Sequence, residues 1–294
     1  MMQVSDFPAR LKAAASATQA CLASVLQPLG ALPIAEGMRY AVGGGKGLRG
    51  FLVIESAALM GAPRSGAIYA GAAVEAMHAY SLVHDDLPCM DNDDLRRGQP
   101  TVHKKWDEAT AVLVGDALQT LAFELLSLPE CSSDPKVQLA LISSLAQAGG
   151  AQGMVLGQAQ DMAAENAFKR LTLSDISELQ ENKTGALFEW SATAGAILAG
   201  TDSAPLRRYA RALGLAFQIT DDILDVEGNA VLVGKAVRKD SASGKATFVS
   251  LLGLDQAKRR AQDLVDEACE ALVIFGDRTT TLRAAAQFVV SRDT

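Results

Sequence analysis

Two short segments hold most of the chemistry this sequence could do: Asp85-Asp86-Leu87-Pro88-Cys89-Met90-Asp91 and Asp221-Asp222-Ile223-Leu224-Asp225. Each follows an apolar run, Tyr80-Ser81-Leu82-Val83 in one case and Leu215-Ala216-Phe217-Gln218-Ile219 in the other. Carboxylates crowded at such places repel one another, so they either take up protons or require a hard cation. A single acidic run is ordinarily a solvated helix end. Two in the same style point instead to an anion gripped through Mg²⁺ at both, and diphosphate is the anion that fits. In the second segment an unbroken helix puts Asp221 and Asp225 on one face, with Asp222 about 100° round. In the first, Pro88 disfavours helical backbone at Leu87 and removes an N–H, so the helix should kink or end and turn Asp91 back toward Asp85.

Cations stand near both segments. Arg96 and Arg97, after Asp93-Asp94, suit bidentate capture of phosphate oxygens or a surface ion-pair patch. Gly43-Gly44-Gly45-Lys46-Gly47-Leu48-Arg49 reads as a glycine-rich turn entering a helix, an anion cradle of backbone N–H groups and two cations. It lacks the GK[ST] ending of a Walker loop. Lys183-Thr184-Gly185 interrupts a helical run, and Lys235, Lys239 and Lys245 flank a loop after the second segment. Scattered lysines are ordinarily solvent-facing; position makes Lys235 and Lys245 candidates for diphosphate contacts. His78, two helical turns before Asp85, reads equally as a ligand contact or as a buried structural histidine. Gln158 and Asp161 form a polar pair in a small-residue helix.

The elements that must position these groups are helices. Ala- and Leu-rich windows of helical period predict them at about 5–28, 48–62, 65–87, 110–127, 135–164, 173–199, 204–226, 246–274 and 279–291. Strand patterns are nearly absent and no linker or repeat divides the chain, so one all-α domain over 1–294 is expected. With 294 residues, 49% of them hydrophobic, a sizeable core is available. A net charge of −7 argues against a general nucleic-acid binder. No basic start leads into an apolar h-region, and the most apolar stretch, Gly185 to Gly200, is shorter than a span and contains Glu189. Neither a signal peptide nor stable membrane insertion is expected. Cys21, Cys89, Cys131 and Cys269 show no CxxC or zinc spacing and fit a reducing compartment, the cytoplasm.

Taken together, these motifs resemble the trans-prenyl diphosphate synthase family. The segment from Ala73 to Gly98 is similar to the family's first aspartate-rich region, and Asp221 to Asp225 to its second. The glycine-lysine-arginine turn at 43–49, GQxxD at 157–161, KTG at 183–185, FQxxDDxLD at 217–225 and GKxxxKDxxxGKxT at 234–247 follow in the family's order over nearly the whole chain. Within the family, the sequence is most similar to bacterial members that make farnesyl diphosphate. The resemblance implies an all-α isoprenoid synthase fold, about ten helices around a central cavity, usually as a homodimer. Carried over by position, it implies about three Mg²⁺ ions, held chiefly by Asp85, Asp91 and Asp221 with support from Asp86, Asp222, Asp225 and Asp240. Arg96, Lys183, Lys235 and Lys245 would meet an allylic diphosphate. Lys46, Arg49, His78 and Arg97 would hold isopentenyl diphosphate, with Phe217 beside its hydrocarbon, while Lys183, Thr184 and Gln218 would serve the reacting carbons. The sequence departs from the family at Gly47 and Gly50, where Arg and Pro are usual, at Val249, where Pro is usual, and around Arg238, where Gly is common.

The implied reaction is head-to-tail condensation of isopentenyl diphosphate with dimethylallyl or geranyl diphosphate. The allylic C–O bond ionises as its diphosphate is neutralised, the isopentenyl double bond attacks the cation, and a proton leaves to the departing diphosphate. A terpene cyclase of the same fold is disfavoured because cyclases usually replace the second motif with an Asn/Ser/Glu-type triad. A non-catalytic subunit of a heteromeric synthase is disfavoured because both acidic motifs are intact. For product length, the resemblance implies Tyr80 as the floor that stops growth at farnesyl diphosphate, with geranylgeranyl diphosphate as the alternative. Helix geometry instead puts Ser81 more directly beneath Asp85, and leaves the facing helix around residues 113 to 121 as another source of the floor.

Overall fold

Small side chains explain how α4 (Arg64–Asp85), the helix that ends in the first acidic segment, is buried along most of its length. Ala67, Ala70, Ala72, Ala73, Ala76 and Ala79 are all inaccessible or nearly so, which lets neighbouring helices approach closely. The computed structural model describes residues 7–165, 171–227 and 247–292. These fall into two compact units, one drawn from Asp6–Ser144 and Ala194–Thr201, the other from Leu145–Thr193 and Asp202–Thr294. Lys235, Arg238, Lys239, Asp240 and Lys245 lie outside the described residues.

In the first unit α1 (Phe7–Leu26), α3 (Leu48–Met60) and α6 (Glu108–Ser127) pack on α4. Phe51, Leu52, Met77, Leu118 and Leu125 are fully buried there, each contributing about 1.5–3 kcal/mol from water exclusion. Asp107 caps α6, accepting from the Thr110 N–H at 2.7 Å. By length and composition α6 could cross a membrane, as could the run 135–164; part of the apolar surface of α6 packs on α4. Helix α2 (Pro33–Ala41), opened by a proline at its first turn, was not among the expected helices. Its signal is weak because it is short and interrupted by Gly37. A two-residue hairpin, β1 (Leu95–Arg96) and β2 (Gln99–Pro100), turns at Arg97-Gly98 and runs into α5 (Val102–Lys105). Tyr40 of α2 fixes the hairpin by donating to the Pro100 carbonyl at 2.7 Å.

The expected helix over 135–164 is two: α7 (Pro135–Gly149), which contributes to both units, and α8 (Met154–Glu165), separated by a turn containing Gly150 and Gly153. In the second unit α9 (Leu173–Gln180) starts from a Thr172–Asp175 capping box. It runs through a π-helical turn, Glu181–Gly185, into α10 (Ala186–Ala199), which contributes to both units. The long α11 (Ala204–Glu227) packs on α13 (Leu254–Ala271) and α14 (Thr280–Ser291), with the short α12 (Phe248–Leu252) beside it. Val249 is the second residue of α12. No N–H is needed there for the helix ladder, so valine and the family's proline serve equally. The Tyr209 hydroxyl, fully buried, donates to the Leu282 carbonyl at 2.8 Å and ties α11 to α14. Tyr209→Phe should lower stability by about 1 kcal/mol in urea titrations; an unchanged midpoint would show that this bond is not what holds the two helices.

Candidate functional site

In the first unit α4 stops at Asp85 and the chain folds back on itself, as Pro88 requires. The Asp91 N–H donates to the Asp85 carbonyl at 2.8 Å, the Asn92 N–H to Leu87 at 3.1 Å and the Asp93 N–H to Asp86 at 3.2 Å. Asn92 takes a left-handed conformation to close this loop, φ 51°. Asp85 and Asp91 are half-buried at its rim. Asp86 is buried, and one of its oxygens accepts from Arg96 Nε at 2.9 Å and Nη2 at 2.6 Å. Burial pushes the Asp86 carboxyl up, against the pull of Arg96. Burial disfavours the Arg96 charge as well, but Asp86, Asp93 and Asp85 outweigh it and raise the guanidinium further. Removing Arg96 would leave the buried Asp86 carboxylate without its cation.

Arg97 sits at the tip of the hairpin with φ 52°, a strained value for a residue with a side chain. Its Nη1 donates to the Gly43 carbonyl at 3.0 Å, and a Cβ on Gly45 would stand 3.2 Å from its guanidinium nitrogens. The glycine-rich turn therefore cradles Arg97 and leads directly into α3, with Lys46 just before the helix and Arg49 in its first turn. Gly47 caps that helix with φ 67°, and a Cβ there would fall 2.6 Å from that of Ala15. The Gly50 N–H donates to Glu75 at 2.8 Å, a bond proline could not make. Both departures from the family thus let α1 seat against the start of α3. His78 is half-buried in this cluster. Its imidazole is pushed well below its ordinary pKa, first by burial and then by Arg49, Arg97 and Arg96, so it is neutral at pH 7. A cleft of about 370 Å³ opens beside the hairpin, lined by Tyr40, Leu82, Val83, Asp86, Arg96 and Arg97 among others.

Tyr80 and Ser81 point different ways. Tyr80 is buried, shares a hydrogen bond with Gln119 of α6, and meets His84 edge to face at 5.3 Å. Burial, then Asp85 and Asp116, push its phenol pKa up against that bond. Ser81 turns its hydroxyl onto the His78 carbonyl at 2.9 Å.

In the second unit the acidic segment ends α11 without a kink. Asp221 accepts from Arg292 Nη2 at 2.5 Å. Asp222 is buried, accepting from Gln218 Nε2 at 3.1 Å and from the Phe248 N–H at 2.8 Å. Asp225, one turn beyond Asp221, is also buried. Facing them, the π turn inserts an extra residue that aims Lys183 and Thr184 away from the helix line. Lys183 Nζ pairs with Asp161 at 2.6 Å, and the Thr184 hydroxyl reaches Gln218 Oε1 at 3.4 Å. Gly157 makes this possible, because a Cβ there would lie 2.0 Å from the Lys183 nitrogen. Both polar atoms of Gln158 are buried without a hydrogen-bond partner, a cost of about 1–3 kcal/mol that a polar ligand would relieve. Phe217 packs on Phe188 at 5.2 Å and lies beneath the Arg292 guanidinium at 3.9 Å.

The donor set in each unit suits a hard divalent cation, with carboxylate oxygens at a helix end and one of them already drawing a guanidinium, Asp86 from Arg96 and Asp221 from Arg292. Among the described residues no three ligand-type side chains stand ready around one ion. Mg²⁺ bound with phosphate needs no such cage, since it takes one or two carboxylates and completes its shell with phosphate oxygens and water. In the first unit Asp85 and Asp91, and in the second Asp221 and Asp225, would each hold such an ion; Asp86 and Asp222, also named from the sequence, meet Arg96 and the Phe248 N–H.

The sequence model of polyprenyl synthetase matches residues 33–273, across both units. The chain belongs to the polyprenyl synthetase family. It is 48% identical over 269 residues to the farnesyl diphosphate synthase of Haemophilus influenzae, covering 88% of this chain and 89% of that protein. To the farnesyl diphosphate synthase of Escherichia coli it is 43% identical over 301 residues, covering 98% and 99%. Among solved structures, an "FPP/GFPP synthase" from Zymomonas mobilis superposes with a TM-score of 0.87 at 46% identity, covering 95% of this chain and 97% of the other. In this polyprenyl synthetase the sequence left two residues of the site unseen, Arg292 and Glu75, while Gln119 falls in the facing helix segment 113–121. Neither Arg292 nor Glu75 carried a local signal, since each meets its partner only through the fold.

The depressed pKa of His78 has a measurable consequence. The unfolded chain takes up this proton near pH 6.5 and the folded chain does not, so stability should fall as pH drops below that value. His78→Gln should flatten melting temperature between pH 7 and pH 5; a wild-type slope in the variant would contradict an enclosed neutral imidazole.

Proposed function

We propose that this polyprenyl synthetase is a Mg²⁺-dependent prenyltransferase that condenses isopentenyl diphosphate head to tail with dimethylallyl and geranyl diphosphate, giving farnesyl diphosphate. What supports this best is that each acidic segment comes with its own cations: Arg96 and Arg97 in the first unit, Lys183 in the second. Bound Mg²⁺ would supply Lewis-acid neutralisation of diphosphate charge. On this reading Lys183 binds the allylic diphosphate and Arg96 is its counterpart beside Asp86. Lys46, Arg49 and Arg97 bind isopentenyl diphosphate, and neutral His78 donates or accepts at its edge. Phe217 packs against hydrocarbon. The Thr184 and Gln218 oxygens, hydrogen-bonded to each other, would favour the positive charge that develops on the carbon losing diphosphate. The allylic C–O bond breaks with its electron pair on diphosphate. The isopentenyl double bond then forms the new C–C bond, and the proton lost from the adjacent carbon passes to diphosphate. Lys235, Lys245 and Asp240, outside the described residues, complete the same set by resemblance.

The family match runs without a break across both units, which supports one polyprenyl synthase domain over 1–294. We further infer a cytoplasmic homodimer without nucleic-acid or membrane partners. The exposed face of α6, with Val112 and Leu113 at 41% and 53% exposure, is the surface a second copy would cover.

Asp85→Ala and Asp221→Ala should each lower turnover about 100-fold or more with circular dichroism unchanged; normal turnover in either would remove that residue from the metal site. Arg49→Ala should raise chiefly the KM for isopentenyl diphosphate, and Lys183→Ala that for the allylic primer; equal effects would show the pockets are merged or exchanged. Tyr80→Ala should shift products from C15 to C20 or longer. If wild type makes mainly C20, or the variant's products do not change, the floor is elsewhere.

A further inference from the structure

Arg292 follows the last turn of α14, far along the chain from the second acidic segment, yet its side chain is only 6% exposed. Its Nη2 donates to Asp221 Oδ1 and, at 3.2 Å, to the Phe217 carbonyl, while the guanidinium lies over the Phe217 ring at 3.9 Å. Its Nε is buried with no partner. A purely structural arginine at such depth is expected to engage both carboxylate oxygens in a fork and to leave no donor unused. Here one oxygen of an otherwise accessible carboxylate, 36% exposed, takes a single donor.

We propose that Arg292 is the resident counter-cation of Asp221, occupying the carboxylate that a divalent ion would use, so that metal binding at Asp221 and the seating of the C-terminal end of α14 exclude each other. Two cations cannot share that oxygen, and at this separation their mutual repulsion is several times thermal energy at the effective dielectric of a protein surface. A metal arriving at Asp221 therefore displaces Arg292 from Asp221 and Phe217, and the end of α14 loses its pin. The proposal rests on the reading of Asp221 as a metal ligand, which the test separates from it.

Mn²⁺ binding to the full chain without substrates, followed by electron paramagnetic resonance, gives the measurement. Arg292→Gln should bind Mn²⁺ about tenfold more tightly than wild type, Arg292→Lys, which keeps the charge, should stay near wild type, and the gain should vanish in Arg292→Gln combined with Asp221→Asn. In wild-type protein, Mn²⁺ should also raise hydrogen–deuterium exchange of residues 280–292. Equal affinity in wild type and Arg292→Gln, with Asp221→Asn weakening both, overturns the proposal and leaves the metal assignment standing. If Arg292→Gln combined with Asp221→Asn binds Mn²⁺ as tightly as Arg292→Gln alone, or Arg292→Gln binds none, the metal assignment falls and the proposal with it. Exchange at 280–292 that ignores Mn²⁺ also overturns the proposal, whether or not the glutamine variant folds.

Discussion

Carboxylates packed side by side at the end of an apolar helix cannot remain ionised unless something positive or hydrogen-bonding meets each of them, and the rest of the structure is arranged around that requirement. Both acidic segments meet it in the same way. The second aspartate of each pair turns inward and is used up: Asp86 by Arg96, Asp222 by Gln218 and the Phe248 N–H. These buried contacts fix each segment's backbone, while Asp85 and Asp91 stay half-buried and Asp221 meets Arg292.

The positions of the cations follow from glycine and from irregular backbone. Arg97 reaches the glycine-rich turn because it adopts a left-handed conformation at the hairpin tip and because Gly45 leaves room for its guanidinium. Lys183 meets Asp161 because a π turn rotates it out of the helix line and Gly157 lets α8 touch the backbone of that turn. Each of these irregularities costs local stability.

Much of this was legible in the sequence. The stop of α4 at Asp85 and the return of Asp91 follow from Pro88 alone, and the unbroken α11 from the absence of any breaker through Asp225. The helical class and most helix positions follow from periodicity. Helix α2 escaped because a short segment with an internal glycine has little periodic signal, and 135–164 was joined because the glycines at its break look like small interior residues. Tyr80 bonds to Gln119 of α6, within the facing segment 113–121. Arg292 was invisible because its partner lies 71 residues away and nothing near either residue announces the other. The glycine departures at 47 and 50 read as losses in one dimension, while in three dimensions they are filled by Ala15, Thr18 and Glu75.

The central claim is that the paired carboxylates act on diphosphate through metal. Calorimetric titration with dimethylallyl thiodiphosphate, whose sulfur bridge resists ionisation, tests it without turnover. The account predicts strong binding with Mg²⁺, little without it, and loss of the Mg²⁺-dependent part in both Asp85→Asn and Asp221→Asn. Binding of equal strength with and without Mg²⁺, or unchanged in both variants, would contradict it.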